Sequence, residues 1–310
     1  LLRFAQGDVC RIERLFQLRL ALVELAVLLG VHGDLCRQRR QLRIEFGLAR
    51  ELVTLRGELL QARQLQALAM ISVGARVVVH GSNQAKIDET LQLLGAAGGE
   101  AHGVCLALDG SRSNAQDLVR QAAELLGGLD IVINCAGTNR RKEIEDVTEE
   151  DYELIRSVNL DSLYWISQAA IPYMREAGGG KILHIGSMTT FRGLGMLSVY
   201  GMTKGAVGQL TQSMATELAK HNIQVNGIAP GFIDTPLTTA GLFGDTVRKK
   251  WIFDRIPAGR RGLPADLVGA TIFLCSHASD YVTGQMLAVD GGFLTGGSWA
   301  IHATEEQLAD

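Results

Sequence analysis

Asp130-Ile131-Val132-Ile133-Asn134-Cys135-Ala136-Gly137 is the stretch on which the fold turns. Its apolar residues run consecutively instead of alternating, so the strand they form is buried on both faces, as in a parallel sheet covered by helices. Similar short runs lie at Arg76–Val79, Gly103–Ala107, Lys181–Ile185, Gln224–Ala229 and Met286–Val289. Helical spacing fills the gaps: Gln84–Leu94, Asn114–Leu126, Glu149–Met174, Val199–Lys220 and Ala265–Ser276. Strands alternating with helices predict an α/β fold, a Rossmann-like doubly wound parallel sheet with helices on both faces. Right-handed crossovers then put the ligand crevice at the carboxyl ends of the strands. Asn134, Ser187 and Pro230 stand at such ends.

The 310 residues suit one such domain with an extension, and 47% hydrophobic content supports a large core. A net charge of −3 argues against a nucleic-acid partner. Cys10, Cys36, Cys105, Cys135 and Cys275 are scattered without metal-binding spacing, so no metal site is expected. Cys105 and Cys135 lie in apolar runs and read as buried, reduced thiols, which fits the cytoplasm. Leu20–Val31 is interrupted by Glu24 and too short to span a membrane. Composition changes near residue 73: the segment before it is rich in Leu, Arg and Gln and lacks Lys and Pro. Ile12, Leu15, Phe16, Leu22, Val23, Ala26 and Val27 fall at helical spacing, as do Leu48, Leu52, Leu55 and Leu59. The expected organisation is therefore an atypical helical segment 1–72, a catalytic domain 73–297 and a loose tail 298–310.

Tyr200 and Lys204 stand four residues apart, and Ser187 thirteen positions before the tyrosine. At this spacing the phenol and the amine share one helix face. A neighbouring ammonium lowers a phenol's pKa from about 10 toward neutrality. Ser187 can then hold a carbonyl or hydroxyl oxygen while Tyr200 moves a proton.

Together with Asn134-Cys135-Ala136-Gly137, Asn159, Pro230-Gly231, Thr235 and Val289-Asp290-Gly291-Gly292, these residues resemble the short-chain dehydrogenase/reductase family over residues 74 to 296. The resemblance implies that Asn159, Ser187, Tyr200 and Lys204 form a catalytic tetrad. Tyr200 is then the acid/base, Lys204 tunes it and holds the nicotinamide ribose, and Asn159 holds a relay water. It also implies cofactor contacts at Asp109 with the adenine, at Asn134, Ala136 and Gly137 along the adenine-ribose wall, and at Pro230, Gly231, Ile233 and Thr235 near the nicotinamide. At the end of the second strand, Gly81 and Ser82 replace the acid that would favour NAD, so the cofactor is NADP or NAD with a lean to NADP.

One family element is missing. No Thr-Gly-x-x-x-Gly-x-Gly turn opens the domain. Leu52-Val53-Thr54 stands at the right distance to end a first strand, but the following Leu55–Gln61 keeps only Gly57, beside Glu58. The first strand and phosphate loop are thus atypical or missing. Either residues 1 to about 72 are not the native reading frame, or the protein is a divergent member with weak or absent cofactor binding.

Arg140, Arg141 and Arg192 are candidates for an anionic substrate, with Ser187 and Met188 at the reacting oxygen. Ala136–Arg141, Gly186–Phe191, Lys220–Gly231 and Arg255–Arg260 resemble the branch of the family that acts on sugar acids such as gluconate. The resemblance leaves open reduction of 3-oxoacyl thioesters on a carrier protein, and a silent scaffold without cofactor binding. It also implies a homotetramer or homodimer built through the two long helices Glu149–Met174 and Val199–Lys220.

Overall fold

The computed structural model describes residues 2–4, 62–235, 238 and 246–296. Seven strands form one sheet in the order β3-β2-β1-β4-β5-β6-β7. They are β1 (Leu2–Phe4), β2 (Ala75–Gly81), β3 (Ala101–Cys105), β4 (Ile131–Asn134), β5 (Gly180–Ile185), β6 (Ile223–Pro230) and β7 (Met286–Val289). All neighbours pair in parallel except β1, which runs antiparallel between β2 and β4. The helices are α1 (Ala62–Ser72), α2 (Gln84–Ala96), α3 (Arg112–Leu126), α4 (Glu149–Arg156), α5 (Ser162–Glu176), α6 (Ser198–Leu218), α7 (Thr246–Phe253) and α8 (Val268–Leu274).

The sheet is covered on both faces because consecutive strand residues point to opposite sides. Val78, Val132, Ile182 and Val225 join Leu118 and Val119 of α3, Ile166 and Ala170 of α5, and Ala215 and Leu218 of α6. Val77, Ile131, Leu183 and Ile228 join Leu68, Met70 and Ile71 of α1, Leu94 of α2 and Leu274 of α8. The doubly wound reading holds.

Several boundaries differ from expectation, each for a local reason. The change of composition near residue 73 falls between α1 and β2, which pack as one unit, with Leu65 and Ala69 fully buried. The third strand begins two residues earlier than expected and lies at the sheet edge. Cys105 is accordingly exposed rather than buried, Cys135 is half-buried, and Cys275 is buried. Leu52-Val53-Thr54 lies outside the described residues. The place of a first parallel strand is taken by Leu2–Phe4, whose Phe4 pairs with Ala75 at the amino end of β2. The carboxyl end of β1 therefore faces away from the crevice, where a phosphate loop would be needed. The final helix is shorter than Ala265–Ser276, because Pro264–Leu267 forms a 3-10 turn first.

The expected single helix Glu149–Met174 is split by a π-helical turn at Ser157–Asp161. The Ser157 carbonyl accepts the turn's i→i+5 bond from the Ser162 N–H and a second bond from Ser162 Oγ (2.8 Å). Asn159 sits in this turn and is fully buried.

A buried polar chain crosses the core beneath the carboxyl edge. Asn134 Nδ2 donates to Ser167 Oγ (2.9 Å), and the His184 ring contacts Ser167 Oγ (3.2 Å) and Thr211 Oγ1 (2.9 Å). Burial, helped by the nearby Lys204 charge, depresses the His184 pKa to about 3. Its unfolded value is near the ordinary 6.5, so the unfolded chain binds the extra proton first as pH falls. His184 therefore lowers stability by about 1.4 kcal/mol per pH unit between about 6.5 and 3. A His184→Gln variant should lose that part of the slope in urea melts taken from pH 7 to 4. An unchanged slope would place the acid sensitivity elsewhere.

Candidate active site

Ser187 follows β5 by two residues and caps a short 3-10 turn, Met188–Thr190. Its Oγ accepts from the Thr189 N–H (3.1 Å), and its own N–H donates to Thr190 Oγ1 (3.2 Å). Thr190 in turn donates to the Lys204 carbonyl (3.0 Å), tying the serine turn to α6. Gly208, one turn further along α6, permits this approach: a Cβ there would lie 2.5 Å from Thr190 Cγ2. Sequence reading missed Thr190, although its place three residues after Ser187 is the capping-box spacing.

Tyr200 and Lys204 share the inward face of α6. The Tyr200 ring is half-buried and its hydroxyl lies within hydrogen-bond reach of Ser187. Lys204 is buried, donates from Nζ to the Ile185 carbonyl (2.7 Å) and lies 5.8 Å from the Tyr200 ring centroid. Burial depresses the Lys204 pKa to about 8, against a smaller upward pull from Cys135. The expectation that Lys204 lowers the phenol's pKa is corrected here. Burial raises the Tyr200 pKa above its usual value, and the groups opposing it are the Ser187 hydrogen bond and the Arg141 charge.

The π turn aims Asn159 at the loop after β4. Its Oδ1 accepts from the Thr138 N–H (2.7 Å), and its Nδ2 donates to the Thr138 carbonyl (2.9 Å) and Thr203 Oγ1 (3.4 Å). A Cβ on Gly137 would lie 3.6 Å from Asn159 Oδ1 and 3.8 Å from Lys204 Nζ. The glycine thus keeps clear a point bordered by both polar atoms. Ser187, Tyr200, Lys204 and Asn159 therefore belong to one connected site at the carboxyl ends of β4 and β5.

In the same loop Arg141 is half-buried, while Arg140 is exposed. The Lys142 N–H donates to the Met196 carbonyl (3.3 Å), joining this loop to the one that enters α6. Met196 adopts φ 63°, an uncommon conformation for a side chain of its size. Arg192 is exposed and lies 5.9 Å over the Phe293 ring. Met188 is buried with Phe232, Ile252, Ile256 and Phe293, so it supports the site wall rather than lining it.

The remaining cofactor candidates follow the carboxyl edge. Gly81 ends β2, followed by the exposed Ser82. Asp109 is exposed, and its Oδ1 accepts from the Ser111 N–H (2.8 Å), which lowers its pKa. Asn134 directs its amide into the core, leaving its backbone with exposed Ala136 and Gly137 as the wall. Pro230 ends β6. Gly231 must be glycine, since a Cβ would meet Asp290 Cα at 2.6 Å. Ile233 packs its side chain in the core, and Thr235 N–H donates to Thr238 Oγ1 (2.8 Å).

The residues at the nicotinamide end of this edge fit a nicotinamide dinucleotide, since the Lys204 ammonium has N–H groups beyond the one given to Ile185. On the phosphate side, the residues just before α1 lie outside the described residues. No group of three His, Cys, Asp or Glu side chains able to hold a metal occurs among the described residues. No helix among them is long and apolar enough to cross a membrane.

Comparison with known proteins agrees with this geometry. A family model described as enoyl-(acyl carrier protein) reductase matches residues 65–294. The chain is 40% identical over 232 residues to 2-dehydro-3-deoxy-D-gluconate 5-dehydrogenase of Escherichia coli K12, covering 74% of this chain and 90% of that protein. It is 36% identical over 230 residues to gluconate 5-dehydrogenase of Gluconobacter oxydans, covering 73% and 88%. A solved gluconate 5-dehydrogenase from Burkholderia cenocepacia, in complex with NADP and tartrate, superposes with a TM-score of 0.71 at 33% identity, over 75% of this chain and 91% of that one.

Proposed function

Because the chain belongs to the short-chain dehydrogenase/reductase family, we propose that it is an NAD(P)-dependent oxidoreductase for a secondary alcohol or ketone of a gluconate-type sugar acid. The observation that carries this reading is the convergence of Ser187, Tyr200, Lys204 and Asn159 at the carboxyl ends of β4 and β5. When bound, the nicotinamide supplies or accepts the hydride. The protein's own residues handle the oxygen and the proton. Ser187 Oγ holds the reacting oxygen, and in reduction the neutral Tyr200 donates its proton to it. A raised phenol pKa keeps that proton in place at neutral pH. Lys204, with its pKa of about 8, can exchange a proton with water near neutrality. A water held between Lys204 Nζ and Asn159 would continue the relay.

Lys204 and Tyr200 would hold the nicotinamide ribose. Pro230, Gly231, Thr235 and the backbone of Ile233 would flank the nicotinamide, and Asn134, Ala136, Gly137 and Asp109 the adenosine side. Gly81 and Ser82, offering no acid to the ribose, favour NADP. Half-burial of Arg141, and the action of its charge on Tyr200, support it as the substrate arginine. Free thiols at Cys105, Cys135 and Cys275 agree with a cytoplasmic setting. Half-exposed Tyr152, Tyr164 and Met202 on α4, α5 and α6 support a homodimer or homotetramer through these helices.

Purified protein should oxidise D-gluconate with NADP faster than with NAD, followed by nicotinamide absorbance. Preferential reduction of acetoacetyl thioesters would instead favour the carrier-protein reading. Failure to bind either dinucleotide would favour a silent scaffold.

A further inference from the structure

Ser187 and Lys204 come from different elements, and one hydroxyl joins them. Ser187 lies two residues beyond β5, while Lys204 stands in α6. Thr190 Oγ1 accepts from the Ser187 N–H (3.2 Å) and donates to the Lys204 carbonyl (3.0 Å). The other end of Lys204 donates from Nζ to the Ile185 carbonyl (2.7 Å), two residues before Ser187. These three bonds close a ring through Ile185–Ser187, Thr190 and Lys204. A slide of the serine turn along α6 would break one of them.

The seat of Thr190 is equally tight. A Cβ on Gly186 would lie 2.9 Å from Thr190 Oγ1, and one on Gly208 would lie 2.5 Å from Thr190 Cγ2. Gly208 stands four residues after Lys204, on the same face of α6. The methyl thus rests against the helix beside the point where the hydroxyl bonds it. A single stiff torsion carries both groups of a threonine, so whatever displaces the methyl also displaces the hydroxyl.

Resting on the oxidoreductase reading above, we propose that Thr190 is a positioning residue for that reaction. Its hydroxyl holds Ser187 and Lys204 in register, and Gly208 is bare to receive it. Proton transfer needs the oxygen held by Ser187 in line with the groups of α6, and a misplacement of about 1 Å costs on the order of 100-fold in rate. Binding of substrate and dinucleotide draws on contacts spread along the crevice and depends far less on this ring.

The test compares D-gluconate turnover with dinucleotide titrations, thermal melts and hydrogen exchange, all on the full chain. Thr190→Val keeps the shape and removes both bonds. It should lower kcat about 10- to 100-fold, leave both KM values nearly unchanged and speed deuterium uptake at the Ser187 amide. Thr190→Ser keeps the hydroxyl and should restore most of the rate. Gly208→Ala should lower kcat as Thr190→Val does. Because it places a helix-favouring residue in α6, it disturbs the same bonds without loosening the helix. Combined with Thr190→Ser, which removes the methyl that the new Cβ would strike, it should recover the rate. General damage to the fold gives no such recovery. Equal losses in Thr190→Val and Thr190→Ser, or a double variant no faster than Gly208→Ala alone, overturn the positioning role. If the unmodified protein turns over no D-gluconate with either dinucleotide, the oxidoreductase reading falls and this role with it. If it does, and Thr190→Val keeps its kcat, only the role of Thr190 falls.

Discussion

Replacing Tyr200 by phenylalanine lowers turnover by about 10²- to 10⁴-fold, the usual contribution of a positioned proton donor. The fold should be left nearly intact. The change removes one hydroxyl from a half-buried ring, and Ser187 keeps its bond from the Thr189 N–H. The Arg141–Ser187 environment stays in place, so substrate binding should change much less than the maximal rate. Steady-state kinetics with the preferred dinucleotide, together with a thermal melt, separate these effects. A variant that keeps more than about a tenth of the rate would move the proton-donor role away from Tyr200.

Lys204→Met is expected to abolish measurable turnover and yet to stabilise the free protein at neutral pH. Holding a buried ammonium at a pKa of about 8 instead of 10.5 costs about 3 kcal/mol. Methionine removes that cost but leaves the Ile185 carbonyl without its donor, which returns about 1 to 2 kcal/mol. The net gain at pH 7 is about 1 to 2 kcal/mol. The sign of its pH dependence is fixed. Below about 8 both the folded and unfolded chains carry the Lys204 proton, so the wild type bears the full cost. As pH rises from about 8 toward 10.5 the folded chain gives up the proton first, the cost shrinks, and the wild type overtakes the variant. Urea melts at pH 7, 8, 9 and 10 measure this. A variant destabilised by the same amount at every pH would contradict the assignment of Lys204 as a strained, functional amine.

The sheet and its crevice were legible because buried parallel strands leave contiguous apolar runs. Asp130–Asn134 and Lys181–Ile185 needed no partner information to be recognised. The four site residues were legible through their types and spacing. What sequence did not reveal depends on geometry that no local pattern encodes. The π turn at Ser157–Asp161 is invisible to helical periodicity, because one extra residue per turn barely disturbs the spacing of apolar positions. Helix α7 was missed since only Ile252 on it is buried, too few apolar residues to show a period. The rise of the phenol's pKa follows from tertiary burial of Tyr200, which the i, i+4 spacing does not encode.

The three residues of β1 sit between β2 and β4, not at the margin of the sheet. Detaching them would bare the amides and carbonyls of Ala75–Val77 on β2 and of Ile131 on β4, in the middle of the sheet. Such rows template pairing with foreign strands. A few residues far along the chain from the chemistry therefore guard the protein against self-association, and conditions that loosen them should produce insoluble material before they produce an inactive monomer.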